Sequence, residues 1–262
     1  MIKKAGIDNG RGFDWGRTSE DYARYRDIYP QAFYQKLLDM GACTAGQKVL
    51  DMGTGTGVLP RHLYPCGADF TGVDISENQI RQAILLAEEQ KAKIDFLCVP
   101  AEEMAFPDSS FDVITACQCF TYLDHEALAP RLSAILRPQG RLIILYMAWL
   151  PFEDAVAGQS EALVLKYNPD WTGRREERHL IGVPGAYNEY FTLEHQEVFD
   201  LKVPFTRESW NGRIKACRGI EASLSEEETA AFDKEHRELL DRIAPQRFEV
   251  LHYAAVTVLK KR

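Results

Sequence analysis

The sequence has no apolar run long enough to cross a bilayer. Its longest, residues 142–152, falls well short of the roughly 20 residues a membrane helix needs. The first 30 residues mix Lys, Asp, Arg and Tyr without an apolar h-region, so no secretory leader is expected. The six cysteines (Cys43, Cys66, Cys98, Cys117, Cys119 and Cys217) contain no C-x-x-C pair. That spacing excludes the disulfide framework of small secreted domains and points to a reduced, cytoplasmic setting. No H-x-x-x-H pair is present, and no G-x-S-x-G element, so a hydrolase nucleophile elbow has no support. Basic residues are also scarce, with 31 Lys+Arg against 39 Asp+Glu and a net charge of −8. Nucleic acid and anionic membrane surfaces both need clustered cations, so neither is an expected partner.

What is present is globular in character. The chain has 262 residues, 45% apolar and 27% charged, which is enough to bury a core without cross-links and allows one large domain or two small ones. Residues 1–16 are polar and glycine-containing. Ser19–Tyr25 reads as a short helix. Pro30 opens a second, with Phe33, Leu37 and Met40 at helical spacing and Gly41 at its end.

From Lys48 onward strands and helices alternate. Strands are expected at residues 49–52, 70–73, 94–99, 111–117 and 142–147. A helix opens at Ser76, which with Gln79 makes a capping-box pattern, and runs to about residue 92 with Ile80, Ala83, Ile84 and Ala87 on its apolar face. Another spans about 125–136, where Pro130 is expected to delay or kink its start, and residues 137–140 read as a turn. This alternation argues for a parallel, doubly wound α/β sheet. Beyond residue 147 the pattern gives a helix near 155–166, a strand at 197–203, a helix at 210–218, a charged helix at 226–243 and a last strand near 250–259. The charged helix reads as a solvated face.

Two constellations carry chemistry. In Val49-Leu50-Asp51-Met52-Gly53-Thr54-Gly55-Thr56-Gly57, alternate glycines directly after a strand let the backbone approach a ligand closely. Dinucleotide enzymes use G-x-G-x-x-G, but here Val58 stands where the third glycine belongs. Asp74 ends the second strand, 21 residues after Gly53. A carboxylate there can accept from both ribose hydroxyls of an adenosine-containing cofactor, and it serves NAD and S-adenosylmethionine equally. The plainer alternative is a helix-entry aspartate, although Ser76 offers a better cap.

A third segment discriminates between the two cofactors. Residues 100–114, Pro-Ala-Glu-Glu-Met-Ala-Phe-Pro-Asp-Ser-Ser-Phe-Asp-Val-Ile, have the layout A-E-x-x-x-F-P-D-x-S-F-D-V-I. With residues 116–124, residues 135–142 (Ile-Leu-Arg-Pro-Gln-Gly-Arg-Leu) and the entry Tyr22-Ala23-Arg24-Tyr25-Arg26-Asp27-Ile28-Tyr29-Pro30, this resembles the class I S-adenosylmethionine-dependent methyltransferases. Within them it is similar to the small-molecule, trans-aconitate-type subgroup, and the ordered motifs span residues 13–146.

The resemblance implies a Rossmann-like seven-stranded sheet, mostly parallel with its last strand antiparallel, and one methyltransferase domain. Residues 1–47 would be an N-terminal helical lid, 48–147 the cofactor core, 148–193 a substrate-covering insertion and 194–262 the remainder of the sheet. It implies methyl transfer from S-adenosylmethionine to an O, N or C atom of a small-molecule acceptor by in-line displacement, releasing S-adenosylhomocysteine. Position by position, Gly53, Thr54 and Gly55 would pass beneath the cofactor, with Asp51 near its amino group, Asp74 on its ribose and Ile75 against adenine. Ala101 and Glu102 would address the adenine edge. Cys117 and Gln118 would flank the methionyl end, with Tyr22, Arg26 and Tyr29 closing over it. Pro100 stands where many relatives carry an Asp, and Thr121 and Tyr122 replace a frequent His-Trp, so no catalytic histidine is carried over.

Other residues stay open at this level. Tyr122, Tyr146, Trp149 and Trp171, with Tyr187 and Tyr190, either line an acceptor pocket or core the added segment. Arg174 and Arg175, with Arg178, either bind an acceptor carboxylate or balance Glu176 and Glu177. Cys117-x-Cys119 supplies only half a zinc site, so no metal is expected. His62, His236 and His252 read as surface or helix residues, while His125 and His179 are within reach of a substrate. The competing functions are an NAD(P)-dependent oxidoreductase on the same sheet and a cofactor-binding protein without transferase activity. Monomer and homodimer are equally compatible with the sequence.

Overall fold

The computed structural model describes Lys3, Lys4 and residues 6–262. Seven strands, β1 (Lys48–Met52), β2 (Asp69–Asp74), β3 (Asp95–Cys98), β4 (Phe111–Cys117), β5 (Leu136–Trp149), β6 (Phe191–Thr206) and β7 (Arg247–Lys261), form one sheet in the order β3-β2-β1-β4-β5-β7-β6. The first five pair in parallel. The last strand is antiparallel. Thr192 Oγ1 donates to the Lys260 carbonyl at 3.3 Å and Gln196 Nε2 to Thr257 Oγ1 at 3.0 Å, so numbers rise along β6 as they fall along β7. Central β1 is buried from Val49 to Met52, the continuous apolar run of a strand covered on both faces. The doubly wound α/β class expected from the alternation is the class observed.

Eight helices accompany the sheet among the described residues: α1 (Ser19–Tyr25), α2 (Gln31–Asp39), α3 (Val58–Leu63), α4 (Glu77–Glu89), α5 (His125–Ile135), α6 (Ala155–Tyr167), α7 (Arg207–Lys215) and α8 (Glu226–Ile243). Their starts are set by side-chain caps. Ser76, Asp124 and Asp154 accept first-turn N–H groups, and Thr206 and Ser225 form reciprocal capping boxes. No helix among the described residues is long and apolar enough to cross a membrane.

Several boundaries differ from the sequence expectation. Helix α4 stops at Glu89, two residues before Lys91 takes a left-handed φ of 55°, and Ile84 on its expected apolar face is 41% exposed. Pro130 neither delays nor displaces α5, which begins at His125 on the Asp124 cap. The bond it cannot donate would end on exposed Glu126, whose carbonyl water can satisfy. Residues 137–140 are an irregularity inside β5 rather than a turn before it. The register jumps from Phe111↔Leu136 to Val113↔Arg141 while Gln139 takes φ 67°. Arg137 bonds both carboxylate oxygens of Asp112 across this bulge, at 2.9 and 2.8 Å. Helix α7 starts three residues earlier than expected because Thr206 and Ser209 cap it.

The chain divides into two compact units. The sheet unit holds Pro30–Met147, His179–Phe199 and Ala254–Arg262. Its core joins Leu50, Met52, Ile114, Leu142 and Ile144 of the strands to Leu128, Leu132 and Ile135 of α5. The helical unit holds residues up to Tyr29, Ala148–Arg178 and Asp200–Tyr253. It is cored by aromatic rings: Trp149 lies 5.7 Å from Trp210 and 6.2 Å from Trp171, and Phe205 lies 4.8 Å from Trp210. His236 and His252, expected as surface or helix residues, are both fully buried in this unit, His236 on helix α8 and His252 on strand β7. His236 Nδ1 donates to Asn211 Oδ1 at 2.8 Å and its Nε2 meets Ser160 Oγ at 2.9 Å, while His252 Nδ1 donates to the Val250 carbonyl at 3.0 Å. His62 is exposed and stacks on Tyr34 at 4.8 Å.

Candidate cofactor site

In the sheet unit, β1 and β4 are neighbours whose connections leave in opposite directions, and open α/β sheets bind ligands beyond the carboxyl ends of such strands. The glycine turn follows β1 at this point. Gly53, Gly55 and Gly57 all take left-handed φ, at 59°, 56° and 69°. A Cβ on Gly53 would lie 2.6 Å from Cys119 Cβ and 2.8 Å from its Sγ, so this glycine admits the Cys119 side chain as well as the sharp turn. Cys119 in turn donates its S–H to the Met52 carbonyl at 3.0 Å, tying the end of β4 to the end of β1. Burial, with Asp51 nearby, raises its pKa well above an ordinary thiol's, so it serves as a neutral strut. The sequence singled out this residue only as half of a metal pair. Among the described residues, no group of three His, Cys, Asp or Glu is placed to hold a metal ion.

Two carboxylates stand beside the turn. Asp74 accepts from Gly55 N–H through one oxygen and from Ser76 N–H through the other, both at 2.9 Å. The aspartate and the glycine turn are therefore one rigid piece, with lone pairs left on both oxygens. Burial raises the Asp74 pKa, and the N–H groups of Ser76 and Gly55 oppose the rise. Asp51 is 2% exposed and accepts from the Thr115 hydroxyl at 2.6 Å. Burial pushes its pKa up to about 6, and nearby Asp74 adds to the rise. No cation figures among the groups that bear most on either aspartate. Ile75, next in the chain, is a large apolar side chain left 60% exposed.

The other expected cofactor residues divide. Thr54 is buried and its N–H bonds the Val73 carbonyl at 3.0 Å, which fastens the turn to β2. Ala101 is buried on a short 3-10 turn, and neighbouring Glu102 spends Oε1 on the Asp124 N–H at 2.9 Å, leaving Oε2. Cys117 ends β4. Gln118 takes φ 65° and turns its side-chain amide onto the Met147 carbonyl, where it locks β4 to β5. Tyr22, Arg26 and Tyr29 belong to the helical unit, where the Arg26 guanidinium lies 4.4 Å over the Tyr22 ring and 5.5 Å over Trp15.

Of the expected acceptor residues, Tyr122 is half-buried on a 3-10 turn and Tyr146 lies 5.7 Å from the His179 ring, both in the sheet unit. His125 packs against Phe120 at 4.5 Å, with Nδ1 3.2 Å from the Tyr187 hydroxyl, inside an aromatic cluster. Trp149 and Trp171 are 6% and 3% exposed core residues of the helical unit, and Trp149 Nε1 donates to Glu161 Oε2 at 3.1 Å. Arg174, Arg175 and Arg178 are exposed. The Arg175 backbone N–H donates to Glu161 at 2.7 Å, and Arg178 is held between Glu153 and Asp200. All six cysteines are free.

Comparison with known proteins bears on this arrangement. Residues 50–144 match the methyltransferase-domain family. The chain is 34% identical over 133 residues to a ubiquinone biosynthesis O-methyltransferase of Bradyrhizobium sp. strain ORS 278, an alignment covering 50% of this chain and 51% of that protein. It thus spans about half the length of the curated relatives it matches. Among solved structures it is similar to a putative methyltransferase of Bacillus halodurans, with a TM-score of 0.54 at 15% identity over 87% of this chain and 98% of that one. It is also similar in fold to a Haemonchus contortus phosphoethanolamine N-methyltransferase solved with S-adenosylhomocysteine, with a TM-score of 0.53 at 18% identity over 92% of this chain and 57% of that one.

Proposed function

We propose, from the premise that residues 50–144 belong to the methyltransferase-domain family, that the chain is a class I S-adenosylmethionine-dependent methyltransferase acting on a small-molecule acceptor. The observation that carries the reading is Asp74, a carboxylate at the end of β2 with both oxygens anchored by the N–H groups of Gly55 and Ser76. A dinucleotide cofactor would also suit that carboxylate. Val58 in place of the third glycine and the family match favour S-adenosylmethionine over it.

The residues present fit this cofactor in charge and shape. Asp51 is a buried carboxylate with no cation among its principal neighbours, and the ammonium of a methionyl group would supply one. Asp74 offers lone pairs to two ribose hydroxyls, and exposed Ile75 offers an apolar face to adenine. When bound, the cofactor supplies a methyl group made electrophilic by its sulfonium. The chain's own work is to hold and orient. Gly53 and Gly55 keep the backbone free of side chains at the turn, Cys119 and Gln118 fix the end of β4, and Ala101 with Glu102 is positioned for the adenine edge. Orientation of this kind supplies roughly 7–11 kcal/mol in favourable intramolecular cases. No residue is assigned as general base. Six free thiols support a reduced, cytoplasmic setting, and acceptor choice is assigned to residues outside the 50–144 core.

Calorimetric titration with S-adenosylhomocysteine tests the reading. Micromolar binding to the wild type, lost in Asp74→Ala, is expected. Binding of NADH with none of S-adenosylhomocysteine would replace it by the oxidoreductase reading. Cofactor binding without methyl transfer to any acceptor in a broad panel would leave a binding protein.

A further inference from the structure

The sheet unit carries a second concavity, apart from the glycine turn. It has a volume of about 310 Å³ and lies between the segment 180–183 and the first residues of β6, with Leu259 of β7 also lining it. Every lining residue belongs to the sheet unit. Its floor is apolar and buried, formed by Tyr187, Phe191 and Leu259. The Tyr187 ring is fixed by Phe120 at 5.6 Å and Phe191 at 5.8 Å, and its hydroxyl is 3.2 Å from His125 Nδ1. The hydroxyl thus has a partner inside the fold, and the ring is what remains for a ligand. Leu180 and Leu193 stand at the rim, 53% and 57% exposed. Large apolar side chains left in water above a buried apolar floor are the arrangement of a ligand pocket.

The lining decides what fits. No charged side chain is part of it, so nothing there offsets the dehydration of an ion. Its polar side chains are Asn188, which is exposed, and Gln196. Gln196 Nε2 donates to the Ile181 carbonyl and to Thr257 Oγ1, both at 3.0 Å, which pins the segment 180–183 to the sheet. A carbonyl can only accept, so the nitrogen faces Ile181 and Oε1 is the acceptor left for a ligand. One hydroxyl or ring N–H on the ligand meets that need. Volume sets the size. An apolar cavity of about 150 Å³ admits benzene, and twice that space admits two fused rings. Position separates this pocket from the cofactor site. β6 is an edge strand, four strands from β1 in the order β1-β4-β5-β7-β6. At about 4.8 Å per strand that is roughly 19 Å, farther than two fused rings reach.

We infer that this pocket is a second binding site, for a neutral molecule of about two fused rings that donates one hydrogen bond to Gln196. A methyl acceptor must touch the cofactor, so the occupant is neither cofactor nor acceptor. The site stands whether or not the methyltransferase reading does.

The probe is 2-naphthol, set against 2-methoxynaphthalene (no donor), 2-naphthoate (charged) and phenol (one ring). Equilibrium dialysis measures binding to the wild type, Gly182→Trp and Leu193→Asp, with and without S-adenosylhomocysteine. Gly182 lines the pocket, an added Cβ there meets nothing within 4 Å and its φ is not left-handed, so the indole enters open space without strain. Leu193→Asp places a charge on the exposed rim and leaves the floor intact. Melting temperatures of both variants should stay within about 3 °C of the wild type; if Gly182→Trp falls further, Leu193→Asp alone decides. One 2-naphthol per chain should bind the wild type, about tenfold or more weakly in each variant. The methoxy compound should bind about fivefold more weakly than 2-naphthol, for the lost hydrogen bond. Naphthoate and phenol should each bind about tenfold or more weakly. Saturating S-adenosylhomocysteine should leave 2-naphthol affinity unchanged, and competition between them would move the probe to the cofactor site and overturn the inference. No saturable 2-naphthol binding, equal binding by the variants, or equal binding of naphthoate, phenol or the methoxy compound would also overturn it. Failure of S-adenosylhomocysteine to bind the wild type, with 2-naphthol binding as expected, would sink the methyltransferase reading alone.

Discussion

The two units bury charged groups of opposite sign. In the sheet unit Asp51 and Asp74 are carboxylates held by hydroxyl and backbone N–H donors with no cation beside them. In the helical unit Arg213 has Nε and Nη1 buried with no hydrogen-bond partner among the described residues, and His236 and His252 are imidazoles kept neutral by burial. A buried charge that the protein does not neutralise is costly in either unit. The sheet unit suits hydroxyls and an ammonium. Each unit also carries glycines where a side chain is excluded by a neighbour, among them Gly53 against Cys119 and Gly212 against Tyr25.

The largest expected effect falls on the sheet unit's carboxylate. Asp74→Ala removes acceptors for two hydroxyls, each charge-assisted bond being worth about 1.5–3 kcal/mol. S-Adenosylhomocysteine binding is expected to fall about 100-fold or more by calorimetry. Unchanged binding would remove Asp74 from the cofactor site.

The glycines sharpen the comparison at the level of stability. Gly53→Ala meets both a left-handed φ of 59° and a contact at 2.6 Å, and should cost about 3 kcal/mol from strain and overpacking together. Gly212→Ala has no positive φ, and the contact at 2.3 Å is with the Tyr25 ring, which can shift. About 1–2 kcal/mol is expected, measured by urea unfolding. Replacing Cys119 by Gly in the Gly53→Ala background should recover part of the loss. No recovery would mean that the backbone angle alone demands the glycine.

These features differ in how far sequence alone could reveal them. The glycine turn, the Asp74 position and the capped helix starts are local signals, carried by residues a few positions apart, and α1, α8 and β4 fall on their expected bounds. Strand β6 was expected at half its length because its first half exposes residues on both faces and so shows no period-two pattern. The burial of His236 depends on Ser160 and Asn211, which come from two other helices, and no local pattern reports that. Arg213 was missed for the same reason: a buried arginine in a polar helix looks like an exposed one. The arginines that attracted attention, at 174, 175 and 178, are consecutive or nearly so, and clustering in sequence is the ordinary mark of a surface.

Titration separates the two kinds of buried group by sign. His236 and His252 have pKa values lowered to about 4 from 6.5, chiefly by burial. Between those values the unfolded chain binds more protons, so their contribution is full above pH 6.5 and is lost as pH falls toward 4. Asp51 is raised to about 6 from 3.8, so its burial cost is relieved as pH falls through 6 and it acts in the opposite direction. Urea midpoints at pH 7.5, 6 and 5 should show a shallower acid loss in His236→Gln and a steeper one in Asp51→Asn. Each change is bounded by about 1.4 kcal/mol per pH unit for one proton. Identical slopes in both variants and the wild type would remove burial as the cause.

The smallest expected effect concerns the arginines that the sequence made attractive. Arg174 and Arg175 are exposed, and the bond that places Arg175 in the fold is from its backbone N–H to Glu161, which any residue but proline supplies. An exposed guanidinium facing water gains little from an added carboxylate, because hydration and salt already screen the charge. Arg174→Ala and Arg175→Ala, alone and together, should therefore change S-adenosylhomocysteine affinity by less than about twofold. Arg175 carries a left-handed φ of 60°, so Arg175→Gly is the better control for backbone strain. A tenfold loss of binding in the double alanine variant would show that the exposed pair takes part in holding the ligand.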